Sequence, residues 1–259
     1  MNSKTAVKLL RAPFRAFGVD LVRWHPPKPE PVITNRELET MTAAFAPKYK
    51  PKDHWFVKSG IKTILDVGAH MGEFAQRIRA ILPEPDLVCF EPLREPFLTL
   101  SQRFAGQPNF RALQCALGER AGRCEIHRNE YAPSSSLLPM TDLHKRSFTF
   151  ALGEETEIIQ VRRLSDVAQE LNLRDPLLLK LDVQGFEDKV IIGGEDVVAR
   201  AKIVIVEVSF QSLFEGGPLF DDVYRILKTR GFTYNGNFDQ LLSPEDGRPL
   251  QADAIFTRA

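Results

Sequence analysis

Cysteine is scarce in this chain of 259 residues. Cys89, Cys115 and Cys124 are its three, an odd number with no CxxC spacing. That excludes a disulfide framework and a zinc knuckle, and it suits a reducing cytoplasm. No apolar run approaches the roughly 18 to 20 residues that span a bilayer. The first residues also lack the apolar core of a secretory signal, so a cytoplasmic location is expected. There is no internal repeat, which argues against a fibrous or solenoid chain. Net charge is missing too, with 34 Lys and Arg against 34 Asp and Glu. What is present is ordinary for a globular chain: 43% apolar and 26% charged residues, enough to build a full core.

The zero charge is a cancellation. Residues 1–62 hold 12 basic and 5 acidic residues, and residues 63–259 hold 22 basic and 29 acidic. We divide the chain accordingly into an extension, residues 1–60, and a body, residues 61–259. In the extension, Val7, Leu10, Phe14, Phe17 and Leu21 recur at helical spacing, flanked by Lys4, Lys8, Arg11 and Arg15. Such a basic amphipathic helix suits peripheral contact with anionic lipid through residues 4–24, at the inner face of the membrane. It also suits packing on the body or on a second subunit, which leaves a homo-oligomer open. Four prolines between Pro26 and Pro31 form an extended spacer. A helix is expected around Glu37–Phe45, followed by a basic turn at Lys48, Lys50 and Lys52. No aromatic platform or nucleic-acid motif accompanies those lysines, so no nucleic-acid partner is expected.

From Lys62 onward strands alternate with helices. Thr63–Val67, Leu87–Phe90, Phe110–Leu117, Arg123–His127, Glu157–Val161, Leu177–Leu181 and Ile203–Val208 read as strands. Gly72–Leu82, Pro96–Phe104 and Phe220–Lys228 read as helices. Thr233–Leu241 and Ala252–Thr257 read as a closing antiparallel pair. This is the pattern of an α/β chain with a doubly wound, mostly parallel sheet. Ligands in such sheets bind beyond the carboxyl ends of the strands, where the strand order reverses.

Gly68-Ala69-His70-Met71-Gly72 sits where a strand turns into a helix. A dinucleotide fingerprint requires G-x-G-x-x-G, whereas here His70 fills the place of the middle glycine. Asp66 stands directly before the loop, where its carboxylate opposes a pyrophosphate. S-adenosylmethionine, with an amino group, a sulfonium and no phosphate, suits the loop better. Glu91 follows the next strand, placed to accept the two hydroxyls of a ribose.

The blocks Asp66-Val-Gly-Ala-His-Met-Gly72, Phe90-Glu91-Pro92 and Leu179-Lys-Leu-Asp-Val-Gln-Gly-Phe-Glu187 resemble the FkbM family of S-adenosylmethionine-dependent methyltransferases. Ser134-Ser-Ser-Leu137, Arg163-Leu-Ser-Asp166, Val206-Glu-Val-Ser209 and Leu250-Gln-Ala-Asp-Ala-Ile-Phe256 extend the resemblance over residues 61 to 258. It implies a seven-strand Rossmann-like methyltransferase sheet with an antiparallel C-terminal strand. It also implies O-methylation of a hydroxyl on a saccharide, glycan or related natural product. By position, Asp66, Gly68 and Gly72 hold the methionine part, with Ala69 and His70 in the same cofactor-binding loop, Glu91 holds the ribose, and the backbone around Ala116 and Leu117 the adenine.

An alcohol is a weak nucleophile and gains from a base or a metal. Asp182 and Glu207 end two buried strands expected to be neighbours. They are candidates to bind Mg²⁺ or, one of them, to act as base. Lys180, two residues before Asp182, projects from the same face, and Gln184 and Glu187 are candidates to orient the acceptor. His127 and His144 stand isolated and read as surface residues. Ser134–Leu137 reads as a lid or surface loop. The alternatives are a nucleotide (NAD)-dependent oxidoreductase and a methyltransferase-like binding module without catalysis.

Overall fold

A computed structural model describes residues 53–129, 135–147 and 154–258. The readings made for residues 1–52 lie outside these, as does Ser134. A 3-10 turn at Trp55–Ser59 leads into the body. The strands are β1 (Thr63–Val67), β2 (Asp86–Phe90), β3 (Phe110–Leu113), β4 (Ala116–Leu117), β5 (Gly122–Asn129) and β6 (Glu154–Arg162). They continue with β7 (Leu177–Leu181), β8 (Ala201–Ser209), β9 (Thr233–Leu242) and β10 (Pro249–Thr257). The helices are α1 (Glu73–Ile81), α2 (Arg94–Arg103), α3 (Asp142–Ser147), α4 (Leu164–Glu170), α5 (Glu187–Gly193), α6 (Glu195–Arg200) and α7 (Phe220–Thr229).

Seven strands form one sheet in the order β3-β2-β1-β7-β8-β10-β9. The neighbours from β3 to β8 pair in parallel, and β10 runs antiparallel to both β8 and β9. This is the doubly wound sheet with an antiparallel C-terminal strand that the sequence implies. The order reverses between β1 and β7. Both strands are wholly buried apolar runs broken by one charge each, Asp66 and Lys180. Their register sets Asp66 directly beside Lys180.

One apolar core covers each face of the sheet. Leu65, Val67, Leu177, Leu179 and Leu181 point into the first, against α4 to α7. Ile64, Leu178, Ile203, Ile205 and Ile255 point into the second, with Ala75 and Ile78 of α1 and Leu100 of α2. Side chains alternate along a strand, so Asp66, Lys180, Glu207 and Asp253 share the face of that second set. Its lower part is apolar, and its upper edge, at the strand ends, is charged.

The structure departs from the sequence reading in two respects. Phe110–Leu117 is not one strand: the chain turns at Gln114 and Cys115, where the Cys115 amide donates to the Leu113 carbonyl at 3.1 Å. β3 stays in the main sheet, while β4 pairs with β6 in a second sheet of order β4-β6-β5. Helices α3 to α6, six or seven residues each, were not anticipated. Two turns show too little of the 3.6-residue period to stand out, and tertiary packing holds such helices in place.

Candidate active site

The loop after β1 is fixed by the strand beside it. The amides of Gly68 and Ala69 each donate to the Phe90 carbonyl at 3.0 Å. The His70 amide donates to Glu91 Oε2 and the Leu93 amide to Glu91 Oε1, both at 2.9 Å. Glu91 is therefore the clasp between the two loops. Burial pushes its carboxyl up to about 7, although both amides favour the charged form. A carboxylate has about four acceptor sites, so the clasp leaves capacity for ribose hydroxyls. Glutamine offers one carbonyl oxygen for the two amides. Glu91→Gln is therefore expected to weaken binding of S-adenosylhomocysteine, read by calorimetry, by about tenfold to a hundredfold.

Gly68 has φ +80°, and a Cβ there would stand 1.7 Å from the Asp182 carbonyl oxygen. The close approach this glycine permits is thus to the β7 loop, whose Asp182 amide donates to the Val67 carbonyl at 3.0 Å. Gly72 likewise serves packing, since a Cβ would meet Leu100 and Phe104 at 2.8 and 2.9 Å. The first loop is locked onto the second at the switch point.

Beyond the strand ends lies a buried charge cluster. Lys180, 2% exposed, donates to Asp182 Oδ2 at 2.9 Å, pairs with Asp253 Oδ1 at 3.2 Å and lies 5.5 Å from the centre of the Phe74 ring. Burial pushes its ammonium down, but Asp182, Asp253, Glu207 and Asp66 together hold it above the ordinary lysine range. Gln184 Nε2 bridges Asp182 Oδ1 at 2.7 Å and Glu207 Oε2 at 2.8 Å, and Gln251 Nε2 also donates to Glu207 Oε2 at 2.8 Å. The bridging residue sits at φ +54°, a conformation costly for a non-glycine residue. Glu187 Oε1 accepts from the Val183 and Gly185 amides at 3.0 and 3.2 Å, which shapes that turn. Burial pushes Glu207 well above the carboxylate range and Glu187 to about 7.

Asp66, 1% exposed, is likewise raised to about 7, by burial first and against the pull of Lys180. Its carboxyl is raised above its unfolded value, so it stabilises the fold at low pH, and that contribution is lost as pH rises through about 7. Unfolding midpoints measured from about pH 5 to about pH 8 should decline less steeply in Asp66→Asn than in the unaltered protein. An unchanged slope would refute the assignment.

These elements enclose a cavity of about 310 Å³, within the range of small-molecule sites. Gly68, His70, Glu91, Ala116 and Leu117 line one part of it, and Asp182, Gln184, Glu207 and Gln251 another. Eight of the thirteen sequence-predicted site residues thus share its wall. Asp66, Ala69, Gly72 and Lys180 are not on that wall but hold the loops and carboxylates that are. Glu187, expected to orient an acceptor, is buried beneath the turn. Nδ1 of His70 lies 3.2 Å from Glu73 Oε2, and its buried Nε2 has no protein partner among the described residues. Such an orphaned atom on a cavity wall fits a ligand that supplies a partner.

His144 corrects the sequence reading. Far from being a surface residue, it is 2% exposed and lines the cavity with Ser135, Ser136 and Leu137. Sequence gave no signal for this, because α3 is positioned by contacts some 70 residues away: Thr141 Oγ1 donates to the Ser212 carbonyl at 2.7 Å. His127 is half-buried in β5 and does not line the cavity.

The same geometry gives no support to Mg²⁺. Both oxygens of Asp182 and Oε2 of Glu207 already accept from ammonium or amide hydrogens, and Lys180 supplies the compensating charge. Among the described residues, no group of three or more His, Cys, Asp or Glu side chains is arranged to hold a metal. Nor is any of their helices long and apolar enough to cross a membrane.

Comparison with known proteins identifies the family. A family profile described as the methyltransferase FkbM domain matches residues 66–234. The 2-O-methyltransferase NoeI of Sinorhizobium fredii is 28% identical over 160 residues, which cover 59% of this chain and 65% of NoeI, a little under two thirds of its length. The 31-O-demethyl-FK506 methyltransferase FkbM of Streptomyces tacrolimicus is 28% identical over 226 residues, covering 74% of this chain and 82% of that protein. Among solved structures, a methyltransferase FkbM from Methylobacillus flagellatus aligns with 85% of this chain and 51% of its own, at 13% identity and a TM-score of 0.47.

Proposed function

The chain belongs to the FkbM methyltransferase family, and from that premise we propose that it is an O-methyltransferase using S-adenosylmethionine on a hydroxyl of a saccharide or related natural product. One observation carries this reading: among the described residues, the cavity wall holds three carboxyl groups, Glu91, Asp182 and Glu207, and neither lysine nor arginine. Burial holds Glu91 and Glu207 toward their neutral forms. An ammonium or sulfonium beside them would draw them to the charged form, whereas the pyrophosphate of a dinucleotide would find no cation on this wall. The wall therefore speaks against the oxidoreductase alternative. The named relatives modify oxygen, NoeI by 2-O-methylation and FkbM at O31, which supports an oxygen acceptor here.

When bound, S-adenosylmethionine would supply an electrophilic methyl carbon open to in-line attack, with the neutral thioether as leaving group taking the electron pair of the broken C–S bond. Glu91 would hold the ribose, and the apolar wall at Leu93, Leu117 and Ile126 would offer a surface for the adenine. Asp182, paired with Lys180 and partly open to the cavity, would take the proton of an acceptor hydroxyl seated beside it. Gln184 and Gln251 are neutral hydrogen-bonding groups around that position, suited to an uncharged, hydroxyl-rich acceptor. Radiolabelled methyl transfer to a panel of methyl glycosides tests the reaction. Label in the glycoside supports it, and its absence from every glycoside removes the saccharide assignment.

In this reading, residues 1–60 are an extension outside the methyltransferase domain, and residues 4–24 contact anionic lipid. Co-sedimentation with anionic liposomes, compared with a chain starting at Val32, tests that contact. Equal behaviour of the two chains rejects it.

A further inference from the structure

His144 has no role in the reading above, yet it is one of the most deeply buried polar side chains in the body. Its helix α3 has six residues, too few to hold itself together. Long-range contacts therefore fix its position. The Thr141 amide donates to the Leu213 carbonyl at 2.9 Å, and the Glu215 amide to the Pro139 carbonyl at 2.8 Å. Leu138 and Leu143 pack on a small core of Met140, Leu213, Phe214 and Leu250. Toward the strand ends, Ser136 Oγ donates to the Gln184 carbonyl at 2.6 Å. Residues 135–147 thus form a roof over the turn that carries Asp182 and the end of β8 that carries Glu207.

Phe214 joins this roof to the catalytic turn. The His144 ring meets the Phe214 ring edge to face at 4.9 Å. The same side chain lies against Gly185, where a Cβ would stand 3.0 Å from the Phe214 Cβ and 3.2 Å from its ring. A side chain at position 185 would press on Phe214, and with it on His144. The imidazole is therefore held in a defined place on the wall shared with Asp182 and Gln184. Burial lowers its pKa below the ordinary value of 6.5, against the opposing effect of the Leu213 carbonyl. At neutral pH it is an uncharged ring able to hydrogen-bond a hydroxyl.

We propose that His144 is an acceptor-binding residue. Its imidazole hydrogen-bonds the hydroxyl-bearing substrate and sets the reacting oxygen against Asp182 from the roof side of the cavity. The acceptor class this favours is uncharged and carries several hydroxyls, one for Asp182 and others for His144 and the amide groups. The inference rests on the methyltransferase reading and adds a residue to it.

The test compares His144→Phe, which keeps a ring against Phe214, with His144→Gln, which keeps a hydrogen-bonding group. Methyl transfer is measured across the methyl glycoside panel, and S-adenosylhomocysteine binding is measured by calorimetry on the same full-length proteins. In His144→Phe, kcat/KM for the glycoside is expected to fall about 30- to 100-fold, with S-adenosylhomocysteine affinity unchanged within about twofold. His144→Gln is expected to recover about tenfold of that loss. Retention of acceptor kcat/KM within about threefold in both variants overturns the proposal. So does a parallel loss of S-adenosylhomocysteine binding, which would make His144 a packing residue. If the unaltered protein binds no S-adenosylhomocysteine and methylates no glycoside, the methyltransferase reading itself fails, a result distinct from either.

Discussion

Asp182→Asn is expected to lower kcat by about 10²- to 10⁴-fold, the range that a positioned general base contributes. The substitution preserves size and leaves Glu91 and the glycine loop untouched, so affinity for S-adenosylhomocysteine should stay within about threefold. The reasoning is geometric. Asp182 ends a fully buried strand at the point where the sheet reverses, so its position is set by the core beneath it. Lys180 Nζ at 2.9 Å and Gln184 Nε2 at 2.7 Å fix both its oxygens. It faces the cavity, whereas Asp66 and Asp253 do not line it. Single-turnover methyl transfer is the decisive measurement, because it separates the chemical step from product release. A loss smaller than about threefold would transfer the base role to another residue.

Lys180→Met is expected to be the most destabilising single change in the cluster, by about 3 to 5 kcal/mol, the cost of stripping one partner from a buried ion pair. Four carboxyl groups surround this one ammonium, and only Asp182 and Asp253 touch it. Without the cation, those carboxyl groups can relieve their repulsion only by binding protons. The deficit should therefore be smallest near about pH 5, where protons are plentiful, and grow toward about pH 8. Urea unfolding midpoints of both proteins at the two pH values test this. A deficit independent of pH would mean that Lys180 acts by packing alone.

Much of the fold was legible because hydrophobic burial writes it directly. Thr63–Val67 and Leu177–Leu181 are apolar runs covered on both faces, and the structure reproduces their boundaries. The adjacency of Asp182 and Glu207 followed from the order of the apolar strands, and β7 does pair with β8. The break inside Phe110–Leu117 was not legible, since an apolar run carries no mark of the sheet to which each half belongs. The purpose of Gly68 was only half legible. A glycine at a strand end announces a close approach, but only the fold shows that the Asp182 backbone is what approaches. His144 was hidden altogether, because its burial depends on Leu213 and Phe214, far along the chain.

The most direct test of the central claim, a cavity that takes the adenosyl and amino-acid parts of the methyl donor and not a dinucleotide, is calorimetric titration of the full chain with S-adenosylhomocysteine and, separately, with NADH. The expected result is one-to-one binding of S-adenosylhomocysteine, weakened in Glu91→Gln, with no heat from NADH. Binding of NADH in place of S-adenosylhomocysteine would contradict it.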